Sequence, residues 1–463
     1  MKGRVHFHTL VMIFAVVALV ALATWILPGG EYTRIIKDGR TLVVPDSFTF
    51  MESHPQGIGP LLMSPVRGFI DGAHIIAFLF VIGGTFMVLQ KTGAVTGGIH
   101  ELASAFVRKP GLQKFFIPVS MTIFSLAGGI FGMAEETMPF VLIFIPLAIS
   151  LGYDSLVGTA IPFLGAAAGF AGSVLNPFTV GIAQSIAELP MYSGLEYRVV
   201  IWCISTVCMI TFVMLHARKV RAHPELSLVY DLDRERTATL HLAEGAAPPF
   251  TTTHKLVLST FGAGIILLVV GILEFHWYIN EIAALFLGMG IVAGLIGRMS
   301  ITEVADAFKE GARDMVGVAL IIGCARAILV IATDGKILDV MLYGLAGVIA
   351  GLHPVLAAQA MFVTQGVINF FVHSGSGQAA LTMPVMAPLA DVVGISRQTA
   401  VLAFQFGEGW INPILPTSAV TMGVLGLAGI SWDRWVKWML PAQIFFFILA
   451  LLLLVPPFFF GYQ

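Results

Sequence analysis

The chain has 463 residues, of which 57% are hydrophobic and only 11% charged, with a mean hydropathy of +0.91. Soluble domains carry roughly 25% charged residues, so these proportions exclude a water-soluble globular protein and leave a polytopic membrane protein. The formal net charge of −2 excludes a nucleic-acid partner, because neutralising phosphates requires a basic face.

In chain order, residues 9–27 form an uncharged run long enough to cross about 30 Å of hydrocarbon as a helix. Lys2 and Arg4 precede it, and Ala21-Leu22-Ala23 imitates a signal cleavage site. The run nevertheless continues through Trp25-Ile26-Leu27, longer than a signal core, and is read as an uncleaved first span. The two cations put the N-terminus in the cytoplasm. Residues 29–71 are a polar external stretch, 73–89 return, and Lys91, Arg108, Lys109 and Lys114 mark an internal segment in which 93–107 forms an interfacial helix. Residues 115–151 are apolar but interrupted by Gly128-Gly129-Ile130-Phe131-Gly132 and then by Glu135-Glu136. That pattern predicts a re-entrant hairpin, since irregular backbone is tolerated at membrane depth where protein or a water-filled cavity covers it. Residues 156–187 then cross outward with a break at 172–177, and 199–215 return to a loop carrying Arg218, Lys219, Arg221, Arg234, Arg236 and Lys255.

Residues 216–254 form a cytoplasmic linker between an N-terminal membrane repeat, 1–215, and a C-terminal one, 255–463. Spans at 256–273, 282–297 and 315–333 follow, with a helix on the inner surface at 302–313. A second hairpin at 355–393 turns at His373-Ser374-Gly375-Ser376-Gly377-Gln378, a second broken span at 399–427 is interrupted at 407–413, and 435–460 ends the chain outside. Pro146-Leu147-Ala148 and Gly152 return as Pro388-Leu389-Ala390 and Gly394. Asn176-Pro177, Arg198 and Trp202 return as Asn412-Pro413, Arg434 and Trp438, each pair 236 positions apart. Five predicted crossings separate the hairpins, and an odd number inverts the second copy. The expected fold is therefore an all-α polytopic membrane protein of two inverted repeats, each with a re-entrant hairpin and a broken helix. A secondary transporter keeps its one site at such a repeat interface.

The blocks Glu135-Glu136-Thr137-Met138-Pro139-Phe140, Gly152-Tyr153-Asp154, Asn176 to Gln184, Ser193-Gly194 with Arg198, Ala325-Arg326-Ala327, and Asn412 before Pro416-Thr417-Ser418 resemble the C4-dicarboxylate anaerobic carrier family. The YfcC-like branch, within the ion transporter superfamily, is the most similar. The resemblance spans nearly the whole chain and implies a scaffold domain, a transport domain with two hairpins, a homodimer and an elevator movement in the bacterial inner membrane. Members of the family are assigned to dicarboxylates, to basic amino acids such as arginine and ornithine, or to no substrate, so the resemblance leaves the substrate open.

Glu135 and Glu136 follow the first Gly-rich break in the opening turn of a helix, where acids also complement the helix dipole. Adjacent helical residues diverge by about 100°, so one of the two is expected to face a ligand, with Thr137 beside them. Glu408 stands at the second break. Arg326, in the span at 315–333, can hold a substrate carboxylate or pin Glu408 or Glu135. Carboxylates at membrane depth are costly, and three against one guanidinium leave a net negative site. That balance favours a cationic substrate, a coupling cation or a proton relay over a bare dianion. Asn176 and Asn412, with Ser173, Thr179, Thr417 and Ser418, sit where broken helices free carbonyl oxygens that suit sodium, although the same groups can simply satisfy the backbone. The coupling ion is thus sodium or proton, and no cofactor is expected. Ser374, Ser376 and Gln378 at the second hairpin tip are substrate-contact candidates, and His373 reads as a hydrogen-bonded turn residue.

Asp154 and Arg198 are read as structural, and Trp202, Trp432, Trp435 and Trp438 as interface and packing residues. Cys203, Cys208 and Cys324 lie in apolar stretches and are read as buried packing residues rather than disulfides or metal ligands. The apolar segments carry no HExxH, GxSxG or Cys/His ligand spacing, which argues against an intramembrane enzyme. Polar groups cluster at two breaks rather than along a continuous pore, which argues against a channel. The expected function is ion-coupled transport of a small carboxylate-bearing metabolite, an amino acid ahead of a C4-dicarboxylate.

Overall fold

The computed structural model describes residues 9–37, 40–44, 46–98, 101, 110–244, 250–275, 277 and 279–462. Among the described residues, seven helical stretches are long and apolar enough to cross a membrane: Ala73–Lys91, Ser155–Ile186, Leu195–Ala222, Ile279–Ile296, Val316–Asp334, Arg397–Ala428 and Trp432–Phe460. The expected internal cations Arg108 and Lys109, the N-terminal Lys2 and Arg4, and most of the interfacial helix at 93–107 lie outside the described residues.

The first half contains α1 (Thr9–Ile26), α2 (Ile58–Asp71), α3 (Ala73–Lys91), α4 (Pro110–Phe131), α5 (Met138–Ser150), α6 (Ser155–Gly172), the short α7 (Ile182–Ile186) and α8 (Leu195–Ala222). Then come α9 (Tyr230–Glu244), α10 (Thr252–Phe275), α11 (Ile279–Ile296), α12 (Ile301–Asp314), α13 (Val316–Asp334) and α14 (Leu338–Ile349). The chain closes with α15 (Pro354–Asn369), α16 (Gly375–Val393), α17 (Arg397–Gly409), α18 (Ala419–Ala428), α19 (Trp432–Leu453) and α20 (Pro456–Phe460).

Residues 110–150 and 354–393 each run as helix, turn and helix, and the helical stretches that follow them are interrupted at 173–176 and 410–418. The two halves repeat one packing rule: α4 and α5 both lie on α6, and α15 and α16 both lie on α17. Each hairpin thus clasps the first half of the broken helix after it. A second group of contacts joins α2, α3, α11, α12 and α13, with α1 on α13 through Ile13, Val17 and Val20 against Ala325, Ile328 and Ile331.

Four features differ from expectation. The polar stretch 29–71 is not featureless: Gly29–Glu31 pairs with Thr49–Met51, Arg34–Lys37 pairs with Arg40–Val43, and α2 follows. Helices α9 and α14 occupy segments read as linker and loop, α14 because twelve residues are too few for a span. The second break begins at Trp410 rather than at 407, because α17 runs on through Gly407-Glu408-Gly409. The cysteines are free as expected, but Cys203 is exposed and Cys208 and Cys324 are half-buried. Their helices turn apolar side chains outward as well as inward, as lipid-facing surfaces require, so an apolar neighbourhood does not imply burial.

The linker is docked rather than loose. Asp231 forms a two-pronged pair with Arg434 at 2.7 and 2.8 Å, Asp233 accepts from the Ser155 amide at 2.8 Å, and Arg236 donates to the Ala428 carbonyl. Asp154 caps α6 at the Val157 amide and also takes His216 and Ser227, which fits its structural reading. Arg198 is likewise buried, beside Tyr462, whose hydroxyl donates to the Gly194 carbonyl.

Candidate functional site

The hairpin tips converge on the breaks. Gly132 turns the first hairpin with φ +71°, a backbone conformation that side chains resist, and a Cβ there would stand 2.6 Å from the Asn176 Oδ1. The Leu175 amide donates to the Gly129 carbonyl at 3.0 Å, fastening the same tip to the first break. In the second half Asn369, at the end of α15, donates to the Asn412 Oδ1 at 3.0 Å and to the carbonyls of Gly407 and Glu408. The second tip reaches across to both breaks: a Cβ on Gly375 would meet Thr179 and lie 3.5 Å from the Glu408 Oε1.

Around this convergence lies a cavity of about 1120 Å³. Of the residues singled out from sequence, Glu135, Glu136, Thr137, Thr179, Arg326, Ser374, Ser376, Glu408, Asn412 and Ser418 line it. Ser173, Asn176, Gln378 and Thr417 do not; all four are buried behind its wall. Ser173 meets Thr179 at 3.3 Å, Asn176 caps the Phe178 amide, Gln378 donates to Gln365, and Thr417 meets the His373 Nε2 at 2.7 Å. His373 is therefore a hydrogen-bonded turn residue, as its position suggested.

Glu135 and Glu136 both border the cavity, because Glu135–Thr137 is a tight 3-10 turn rather than the first turn of an α-helix. Glu136 folds back to accept the Ala134 amide at 3.0 Å. Glu408 is 2% exposed; its Oε1 accepts from Asn412 at 3.1 Å and its Oε2 is buried without a hydrogen bond. Arg326 pairs with neither Glu135 nor Glu408 but with Asp71 at 3.4 Å.

Sequence reasoning missed another part of the lining: Arg34, Asp71, His74, Trp277, Asn280 and Glu281. These lie in or beside segments that look like ordinary loop and helix ends, and only α2, absent from the expected topology, brings Asp71 to the cavity. The lining thus holds five carboxylates, Asp71, Glu135, Glu136, Glu281 and Glu408, against the guanidiniums of Arg34 and Arg326. Arg34 is already paired with Asp339 at 2.8 Å. Among the described residues, Glu135, Glu136 and Glu408 form no ion pair, so the cavity can hold a cation.

The second break offers few spare carbonyl oxygens. Gln443 donates to Trp410, Trp435 to Pro413, Trp432 to Ile414, and the Thr421 hydroxyl to Asn412. The tryptophans read as belt and packing residues therefore also hold the broken backbone.

A family model described as C4-dicarboxylate anaerobic carrier matches residues 7–457. The chain belongs to that family. The chain is 39% identical to a protein of Escherichia coli (strain K12) named "Putative basic amino acid antiporter YfcC", over 93% of this chain and 92% of that one. It is 30% identical, with the same two coverages, to an uncharacterized protein of Haemophilus influenzae. Among solved structures, it matches the Alcanivorax borkumensis YdaH transporter at 16% identity and a TM-score of 0.44, covering 98% of this chain and 99% of that one. It matches Neisseria gonorrhoeae MtrF at 16% identity and a TM-score of 0.42, covering 98% and 95%. This family member is a multi-pass membrane protein of a transporter family, and the carriers take small molecules.

Proposed function

We propose that this chain is an ion-coupled secondary transporter exchanging a basic amino acid across the bacterial inner membrane. The observation that carries the reading is the charge of the cavity: Glu135, Glu136 and Glu408 line it without an ion pair among the described residues, and Arg326 lines it as well. A basic amino acid answers both needs, its side-chain cation meeting the acids and its carboxylate meeting Arg326. A bare dianion would instead face uncompensated carboxylates. The name of the E. coli relative points the same way.

In this reading Thr137, Thr179, Ser374, Ser376, Asn412 and Ser418 supply polar contacts, and Ser173, Asn176, Gln378 and Thr417 brace the tips and breaks. The two halves are inverted repeats with a cytoplasmic N-terminus. The hairpins and broken helices form a transport domain that moves as an elevator against a scaffold of α1–α3 and α10–α13, in a homodimer. Occupied carbonyls at the second break favour a proton on Glu408 over sodium there, while a sodium ion near Asn176 remains the competing coupling. The family description supports a second reading, a C4-dicarboxylate carrier, in which some acids are protonated.

Purified protein in liposomes loaded with arginine or ornithine decides between them. Saturable uptake of labelled arginine that needs an internal basic amino acid supports the proposal. Uptake of succinate alone supports the second reading, and separately imposed sodium and pH gradients identify the coupling ion.

A further inference from the structure

The pairing of Arg326 with Asp71 carries a consequence for selectivity. Asp71 is the last residue of α2, where the negative end of the helix dipole disfavours a carboxylate, so its position brings nothing to that helix unless a cation answers it. The answering cation is Arg326, and the two meet at 3.4 Å as an ion pair without a hydrogen bond, both lining the cavity. Their relative position is fixed by backbone. A Cβ on Gly68 would stand 2.6 Å from the Ala327 nitrogen, and one on Gly72 would stand 3.4 Å from the Arg326 Cγ, so α2 and α13 are in direct contact at this level. The side chains remain accessible, at 19% for Arg326 and 45% for Asp71.

Resting on the transport reading above, we infer that Asp71 is the built-in counter-ion of Arg326, occupying in the empty site the place that a substrate carboxylate takes on binding. A loose pair fits that role. A two-pronged, hydrogen-bonded pair, such as Asp231 with Arg434, would hold its arginine too well to surrender it. Binding then exchanges one carboxylate for another. Displaced Asp71 keeps the total charge of the site negative. Selection for a molecule bearing both a carboxylate and a cation follows: a carboxylate-free cation leaves Arg326 and Asp71 paired, and a cation-free dianion meets Asp71 as well as the three glutamates.

The exchange is also a competition, which lowers apparent affinity by the fraction of Arg326 held by Asp71. In purified protein, Asp71→Asn therefore tightens arginine binding by roughly three- to tenfold, while agmatine, which is arginine without its carboxylate, changes by less than about twofold. Equal changes for both ligands, or none, overturn the inference. A second measurement does not depend on the substrate. Asp71→Ala leaves Arg326 facing an open space, so formate at tens of millimolar raises its thermal midpoint by about 2 °C or more, and leaves wild type and the Asp71→Ala/Arg326→Gln double variant unmoved. Formate acting on none of the three, or on the double variant as well, overturns the inference. If wild type binds neither arginine nor agmatine, the basic-amino-acid reading falls and the formate result alone decides the role of Asp71.

Discussion

Glu408, in the last turn of α17, and Asn412, in the break that follows, stand four residues apart, with the Asn412 Nδ2 donating to the Glu408 Oε1 at 3.1 Å while the Oε2 is left buried and unbonded. Asn412 is held in turn by Asn369, so the carboxylate is oriented by a chain of amides that crosses from hairpin to break. One oxygen is fixed and the other is free to take a proton, a cation or a substrate donor.

Glu408→Gln keeps the size and the acceptor for Asn412 but removes the charge. A hydrogen bond to a charged group is worth about 1.5–3 kcal/mol, so substrate binding should weaken by roughly 10- to 150-fold. If Glu408 also carries the coupling proton, net uptake driven by a pH gradient is lost and its pH profile flattens. Unchanged uptake and an unchanged profile would make Glu408 a scaffold residue.

Gly132→Ala tests the first hairpin tip. Its positive φ and its contact with Asn176 penalise any side chain, and a non-glycine residue in this region costs about 1–2 kcal/mol before the clash is counted. Lower thermal stability together with loss of transport is expected. A variant as stable and active as wild type would mean that the tip is not seated on the break.

Trp435→Phe removes the indole N–H that reaches the Pro413 carbonyl at 2.8 Å while keeping an aromatic ring in a fully buried position. An orphaned buried acceptor costs about 1–3 kcal/mol. Unfolding followed in detergent should show that loss, and sodium-dependent stabilisation of the variant alone would indicate that the freed carbonyl can serve as a ligand.

Asp231, on α9 outside the candidate membrane spans, has its carboxyl held below the usual aspartate range by its hydrogen bonds from Arg434, with their charge attraction adding to the effect. A lowered pKa means that the docked linker is stabilised above the ordinary aspartate value of about 3.9 and loses that support only as pH falls below it. Limited proteolysis of the linker should stay constant from neutral pH down to about 4 and rise on further acidification. Asp231→Asn should be cleaved faster at neutral pH.

Periodicity and composition located most of the long apolar helices, the two interruptions and the polar residues beside them, because lipid forces every membrane-depth interruption to be written as glycine, proline or a costly polar group. Glu135, Glu136, Glu408, Asn412 and the serines of the second tip could be read this way. Which of these groups face the cavity and which lie behind it, such as Asn176 and Thr417, depends on how helices rotate against their neighbours, and a broken helix has no regular period from which to read that. The partner of Arg326 depended on tertiary structure in the same way: Asp71 lies 255 positions away on a helix inside a stretch that looked like loop, and Coulomb attraction between them acts through space that only the folded chain defines.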